Sequence, residues 1–217
     1  MSKSHTAFLD YVMPHVPGCT VEMALLEVKN TIIDFCEKSL IIQRDHDPVT
    51  LVQGQIDYDF EPPTGYLVSR VMKAWYKTKE LSPMSPDEIQ NAEVYNRMFT
   101  GADVGQTDPR QFMQKDERTY TVYPIPAETA KNALTMRVAL KPTRASSTIE
   151  DVVYEDYAEV IGHGVKARLM MSPGKPYTNP QGAVASLGMY QSGLNTARQR
   201  AVRGYVRGDL KVQLRRI

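Results

Sequence analysis

The 217-residue chain has two cysteines, one tryptophan and no long apolar run. Two thiols, Cys19 and Cys36, cannot build a four-thiolate zinc site. They are read as buried thiols rather than a bridge. No apolar stretch approaches the roughly 18 residues of a membrane helix. The opening MSKSHTAFLDYV lacks an apolar signal core followed by a small-residue cleavage site. Synthesis in the cytosol, with no membrane partner, is therefore expected. Also missing are GxxxxGK(S/T), GxGxxG after a strand, HExxH and GxSxG. These absences exclude the common phosphate-cradling, zinc-hydrolase and nucleophile-elbow chemistries. The expectation is a protein with no catalytic set, no cofactor and no metal. At 42% hydrophobic and 24% charged residues the chain is ordinary for a globular domain, which excludes a disordered chain, a collagen and a coiled-coil rod.

What is present begins with a charge asymmetry. From Arg198 onward stand Arg198, Arg200, Arg203, Arg207, Lys211, Arg215 and Arg216 against the single acid Asp209, a net +6. Residues 1–197 carry 19 basic and 24 acidic residues, a net −5. A mildly acidic body with a basic end points to an interaction arm. Its partner is nucleic acid, an acidic protein surface or a neighbouring copy. The arginines at 198, 200, 203 and 207 recur at near-helical spacing and are expected to pair with acids of a partner, or with a neighbouring copy's Glu150–Glu159 stretch. Beyond them Leu210, Val212 and Leu214 alternate with Lys211, Gln213 and Arg215, and Ile217 continues the series. That alternation is strand patterning.

The first helix is expected to start after a capping Thr20. Val21, Leu25, Val28, Ile32 and Phe35 form one apolar face, continuing to about Ile42, with Leu26, Ile33, Leu40 and Ile41 as a second flank. A helix apolar on more than one side asks for more than one neighbour. Asp45-His46-Asp47-Pro48 is read as its stop. Val49–Val52 and Ile56–Phe60 then read as a hairpin around Gln53-Gly54-Gln55, and Tyr66–Tyr76 as a long strand turning at Lys77-Thr78 toward Leu81. Ser85-Pro86-Asp87-Glu88 combines a capping serine, a proline at the first helical position and a glutamate three residues on. Phe99–Asp116 reads as a loop, and Arg118–Tyr123 and Leu134–Lys141 as strands.

Ser147 and Thr148, with Glu150 and Asp151 three residues on, are overlapping capping-box candidates for a helix to about Met171. Its acids lie in the first third and its bases in the last, matching the helix dipole. Asn179 and Pro180 open a last helix to about Tyr205. Gly182, Gly188 and Gly193 lie in that helix, where each costs about 0.5–1 kcal/mol relative to alanine. They are assigned to close helix packing against a neighbour. The fold class is α+β: an antiparallel bundle of one N-terminal and two C-terminal helices, an inserted β-rich subdomain and an extended C-terminal tail. The expected boundaries are residues 1–47 and 146–205 for the bundle, 48–145 for the insertion and 206–217 for the arm.

Candidate chemistry is sparse. His46 between Asp45 and Asp47 resembles a metal cluster, but adjacent residues rarely converge on one ion, and turn chemistry is the better account. His163, in Gly162-His163-Gly164, is read as a packed histidine beside a tight helix contact, with Glu159 one turn earlier as an ordinary i,i+4 neighbour.

Over nearly its full length the sequence resembles the head-to-tail adaptor, or connector, proteins of short-tailed bacteriophages. The matching stretches are VPGCTVEMALLEVKNTIIDFCEKS, PVTLVQGQIDYDF, VMKAWYKTKELSPMSPDEI, YTVYPIPAETAKNALTMRVALKPTR and EDYAEVIGHGVKARLMMSPGKPYTNP. The resemblance implies a non-enzymatic virion protein, assembled in the host cytoplasm and placed at the head–tail interface. It implies a homo-oligomeric ring, typically of 12 copies, between the portal protein and the tail (nozzle) protein, with double-stranded DNA passing transiently through its channel. Arg203, Arg207, Leu210, Lys211, Val212, Leu214, Arg215, Arg216 and Ile217 are the candidate contacts to the portal or a neighbouring subunit. The alternative is a DNA-binding module using the Arg-rich end.

Overall fold

A computed structural model describes residues 2–88 and 107–204. The chain divides into two compact units. One spans Gln43–Lys141, and the other joins the segments on either side of it. The architecture is mixed α+β, with an N-terminal helix packed on two C-terminal helices and β-sheets between them in sequence.

In the helical unit, α1 spans Val21–Ser39. The Thr20 hydroxyl accepts the Met23 N–H at 3.4 Å, relieving one of the unpaired first-turn amides. Ala24, Val28, Ile32 and Phe35 form its fully buried face. The helix ends at Ser39, three residues before the expected Ile42, and the chain leaves it through Leu40 in the left-handed region (φ 56°). The Asp45–Pro48 stretch is not its stop. Those residues lie inside β2 (Gln43–Leu51), whose backbone pairs with β9 (Ala130–Pro142). Cross-strand hydrogen bonds at Gln43–His46 outcompete another helical turn.

α2 (Asp151–Met170) is the central helix, buried on most sides in its second half. α3 (Pro180–Arg203) opens as expected, with Asn179 Oδ1 accepting the Gly182 N–H at 3.0 Å and Pro180 in the first turn. Phe35 of α1 meets Tyr157 of α2 and Tyr190 of α3 at ring-centroid distances of 5.2 and 6.3 Å. The capping boxes expected at Ser147 and Thr148 are not formed. Glu150 is the N-cap of α2 with no side-chain cap bond, and Thr148–Glu150 is β10, paired antiparallel with β1 (Ser2–Ser4). A strand 145 or so residues distant in sequence claims this backbone, which no local pattern reveals. The 3-10 helix His5–Tyr11 that follows β1 buries Phe8, adding an N-terminal layer not anticipated from sequence.

The other unit holds two four-stranded sheets. In the first, the order is β2-β9-β4-β5, with β4 at Tyr66–Tyr76 and β5 at Lys79–Glu80. In the second it is β3-β8-β7-β6, with β3 at Asp57–Asp59, β6 at Ser82–Pro83, β7 at Gln111–Gln114 and β8 at Thr119–Tyr123. The hairpin expected between Val49–Val52 and Ile56–Phe60 is therefore absent, because β2 and β3 belong to different sheets. Gly54 (φ 78°) turns the chain between them, and the Tyr58 hydroxyl, bonded to the Val52 N–H at 3.0 Å, holds the crossing. Aromatic stacking favours this pairing over a local hairpin. Tyr58 stacks on Tyr120 of β8 at 5.7 Å, and Phe60 lies 4.7 Å from the same ring.

The expected loop Phe99–Asp116 is also revised. Gln111–Gln114 is β7, an interior strand of the second sheet, while residues 99–106 lie outside the described residues. Gln114 links the two sheets: its Oε1 accepts the Val71 N–H of β4 at 3.0 Å and its Nε2 donates to the Val68 carbonyl at 3.3 Å. The Ser85–Glu88 capping box forms as read, Ser85 Oγ accepting the Glu88 N–H and Glu88 Oε2 accepting the Ser85 N–H. It starts a helix described over 86–88.

Candidate functional site

The residues that looked chemical are engaged structurally. His46 is 8% exposed, and both ring nitrogens are used. Nε2 accepts the Glu61 N–H at 3.0 Å, so Nδ1 carries the proton and donates to the Asp47 carbonyl at 2.7 Å. Asp45 and Asp47 point to solvent on an edge strand whose register is interrupted between His46 and Val49. Charge, a proline and a bulge on an edge strand block pairing with a foreign strand. Among the described residues, no three His, Cys, Asp or Glu side chains converge to hold a metal ion. Cys19 and Cys36 are buried and unbridged. Burial pushes the Cys36 thiol far up, with Glu150 adding to the effect, which leaves it unreactive.

His163 lies 3.8 Å from Glu159 on the same helix. Burial, with Lys166 nearby, holds its pKa below the usual histidine range. The flanking glycines are packing positions. A Cβ on Gly162 would lie 2.8 Å from the Tyr11 Cβ, and one on Gly164 would lie 2.7 Å from both Thr31 and Tyr190. Here α2 takes the 3-10 helix, α1 and α3 into close contact.

The glycines of α3 separate into two kinds. A Cβ on Gly193 would sit 2.5 Å from both γ-carbons of Val160, and one on Gly182 would meet Asn179 at 2.7 Å. At Gly188 nothing lies within 4 Å, so the packing expected there is not made within the chain.

The arginines are divided as well. Arg200 donates to Asp156 of its own chain at 2.7 Å and to the Tyr157 hydroxyl at 3.2 Å, with its guanidinium over the Tyr157 ring. This corrects the expectation that Arg200 reserves its charge for a partner's acids, since an internal acid lies within reach across the α2–α3 seam. Arg198 and Arg203 are exposed and line an open recess with Asn195, Gln199 and Val202. Arg207, Leu210, Lys211, Val212, Leu214, Arg215, Arg216 and Ile217 lie outside the described residues.

The surface feature that sequence reading missed is apolar. Among the described residues, eleven large hydrophobic side chains are exposed, and ten of them belong to the helical unit. The β-rich unit contributes only Val52. Met171, Leu187 and Leu194 take part in lining a groove of about 420 Å³ between α1 and α3, with Ala167 and Gly164 of α2 beneath. Asp34, Lys38 and Arg168 stand at its rim, Asp34 taking the Lys38 ammonium at 2.6 Å and the Tyr190 hydroxyl at 2.8 Å. The groove is thus an exposed apolar surface with charged groups at its rim.

The sequence model of the SU10 adaptor protein family matches residues 25–211. The chain belongs to that family. The SU10 adaptor family is one of phage head–tail adaptors, a structural family and not an enzyme family. The adaptor is thus a virion component that binds phage head or tail parts, in keeping with the resemblance read from the sequence. No match was found among curated proteins. No helix among the described residues of the adaptor is long and apolar enough to cross a membrane.

Proposed function

We propose that this adaptor assembles as a ring between the portal protein of the filled head and the tail nozzle, and that double-stranded DNA passes through its central channel. The resemblance to connector proteins implies 12 copies. The observation that carries the reading is the exposed apolar surface of the helical unit in a chain belonging to an adaptor family. A unit with ten exposed large hydrophobics among its described residues needs neighbours, and a ring supplies them. The helical unit makes the wall of the ring. The β-rich unit, expected from sequence over 48–145, contacts the tail component. The arm 206–217 reaches the portal or a neighbouring subunit by strand addition. There its backbone supplies hydrogen bonds, and Leu210, Val212 and Leu214 fill alternate pockets. Exposed ion pairs from Arg203, Arg207 and the terminal arginines are worth about 0–1 kcal/mol each. Attachment therefore draws its strength from many copies acting together.

The competing use of the basic end, DNA binding, is weakened by Arg200, which is already held by Asp156 and Tyr157. The test is truncation after Tyr205. The shortened chain is expected to remain soluble and folded while failing to join portal-containing heads. Normal occupancy on heads would overturn the role of the arm. Tight, steeply salt-dependent duplex binding by the intact chain, lost on truncation, would favour the DNA reading.

A further inference from the structure

We propose that the exposed face of α3 lines the channel of the ring and is the surface along which duplex DNA passes. This rests on the ring reading above and names the face that meets DNA. The helix runs for 24 residues without a single carboxylate, in a chain that holds 25. The other two long helices of the unit both present acids to solvent, Glu22 and Glu37 on α1 and Glu155 and Glu159 on α2. A duplex is a rod of phosphates, and exposed carboxylates repel it at close range. Of the three helices, α3 alone leaves the approach open.

The side chains on that face suit the same partner. At about 100° per residue, Gln181, Gly188, Ser192, Asn195 and Gln199 fall within about 40° of one line along the helix. All five are exposed. The large apolar side chains Val184, Leu187, Met189 and Val202 lie about 60° or more to either side of that line. No atom lies within 4 Å of a Cβ placed on Gly188, so the line is uncovered there. It offers side-chain amides and a hydroxyl, which donate hydrogen bonds to phosphate oxygens without carrying fixed charge. In a ring, the apolar flanks are left for neighbouring copies and the polar line between them for the axis.

The charge at the end of the line has the matching sign and is small. Arg198 has no carboxylate partner among the described residues and lines an open recess with Asn195, Gln199 and Val202. Arg203, at the same recess, stands where the face meets the attachment arm. Arg200 is withdrawn from this face by Asp156. Affinity for a duplex grows with each phosphate neutralised. A face with uncharged donors along about 27 Å from Gln181 to Gln199, and cations only at one end, guides DNA without holding it.

The test uses particles assembled with the full chain carrying Ser192→Cys, coupled to an iron–EDTA maleimide that cuts nearby DNA through hydroxyl radicals. Glu155→Cys, on the exposed side of α2, is the comparison. The native Cys19 and Cys36 are buried and stay silent. When DNA release is triggered, cutting from position 192 is expected to exceed that from position 155 severalfold. Equal cutting, or more from position 155, would overturn the assignment. No cutting in particles whose images show a ring would overturn it and leave the ring reading standing. Images without a ring would remove both. A second variant, Asn195→Glu with Gln199→Glu, adds carboxylates at exposed positions of the same face. Its occupancy on heads is expected to be normal and its DNA release slowed severalfold. Unchanged release would overturn the proposal, as would loss of the variant from heads, which would make this face a protein contact.

Discussion

The two units of this adaptor bury their cores with different chemistry and present different surfaces. The helical unit is held by side-chain packing at a few tight points: Phe35 between Tyr157 and Tyr190, Gly164 under Thr31 and Tyr190, and Gly193 against Val160. The β-rich unit is held by strand pairing, a Tyr58–Tyr120–Phe60 aromatic cluster and the Gln114 side chain between its sheets. Among the described residues, the first leaves ten large apolar side chains in water and the second leaves one. A surface that stays wet must be polar, and a surface that will be covered need not be. The contrast is one of surface chemistry: among the described residues the helical unit is the more apolar outside and the β-rich unit the more polar.

The strongest way to break the contrast is through the helical core. Phe35→Ala removes a fully buried ring and is expected to cost about 3–5 kcal/mol. The only tryptophan, Trp75, lies in β4, so its fluorescence reports the β-rich unit while helical circular dichroism reports the other. The helical midpoint in urea is expected to fall by more than the tryptophan midpoint. Equal shifts would mean the units unfold as one.

Gly193→Leu comes next, with an expected loss of about 1–3 kcal/mol or more from overpacking against Val160. Gly188→Leu, five residues earlier on the same helix, is expected to gain up to about 1 kcal/mol through helix propensity, because its Cβ meets nothing among the described residues. A thermal melt of the pair distinguishes them, and equal destabilisation would refute the assignment of Gly188 to open surface.

In the β-rich unit, Gln114→Ala strips the Val71 N–H of its partner and is expected to cost about 1–2 kcal/mol, read from Trp75 fluorescence in urea. Tyr120→Phe is expected to be neutral or slightly stabilising by the same measurement, since the buried Tyr120 hydroxyl has no hydrogen-bond partner.

The smallest expected effect is the pH response, and it differs between units. In the helical unit, burial and Lys29 lower the His5 pKa, an effect partly opposed by Thr148. Burial, Lys166 and His15 lower that of His163, partly opposed by Glu159. The folded state therefore resists protonation more than the unfolded chain does. Stability is full at neutral pH and falls as pH drops below about 6.5, the unfolded histidine value. In the β-rich unit, the Lys115 ammonium and the Thr121 hydroxyl hold the Asp57 carboxyl below the usual range. Its stability is present above about pH 4 and lost only as pH falls further. Melts followed by both probes between pH 7 and 5 are expected to move the helical signal and leave the tryptophan signal in place. A tryptophan shift in that window would contradict this account.

What could be read in advance follows the range of the interaction. Thr20, Asn179-Pro180 and Ser85–Glu88 were legible because a cap satisfies amides within three residues of itself. The Tyr66–Tyr76 strand was legible because alternation is local. Asp45–Pro48 was misread as a helix stop because charge and proline serve equally well on an edge strand, and only the pairing with β9 distinguishes the two. Gly193 could be flagged for close packing, but its Val160 partner could not be named, and Gly188 carried the same signature with no partner in the chain. The groove had no signature at all, since Met171 and Leu187 look like core residues in any linear pattern.

The sequence by itself determined the helix starts, the α+β class, the absence of common catalytic motifs and the basic end, because each depends on composition or on neighbours a few residues apart. Tertiary structure alone decided that β2 and β3 enter different sheets, that β1 and β10 pair, that Arg200 is held by Asp156, and that Met171, Val184 and Leu187 remain outside the core. Those outcomes depend on which distant segment wins a given hydrogen bond or covers a given side chain. That competition is settled by the free energy of the whole fold, to which no single stretch of sequence holds the answer.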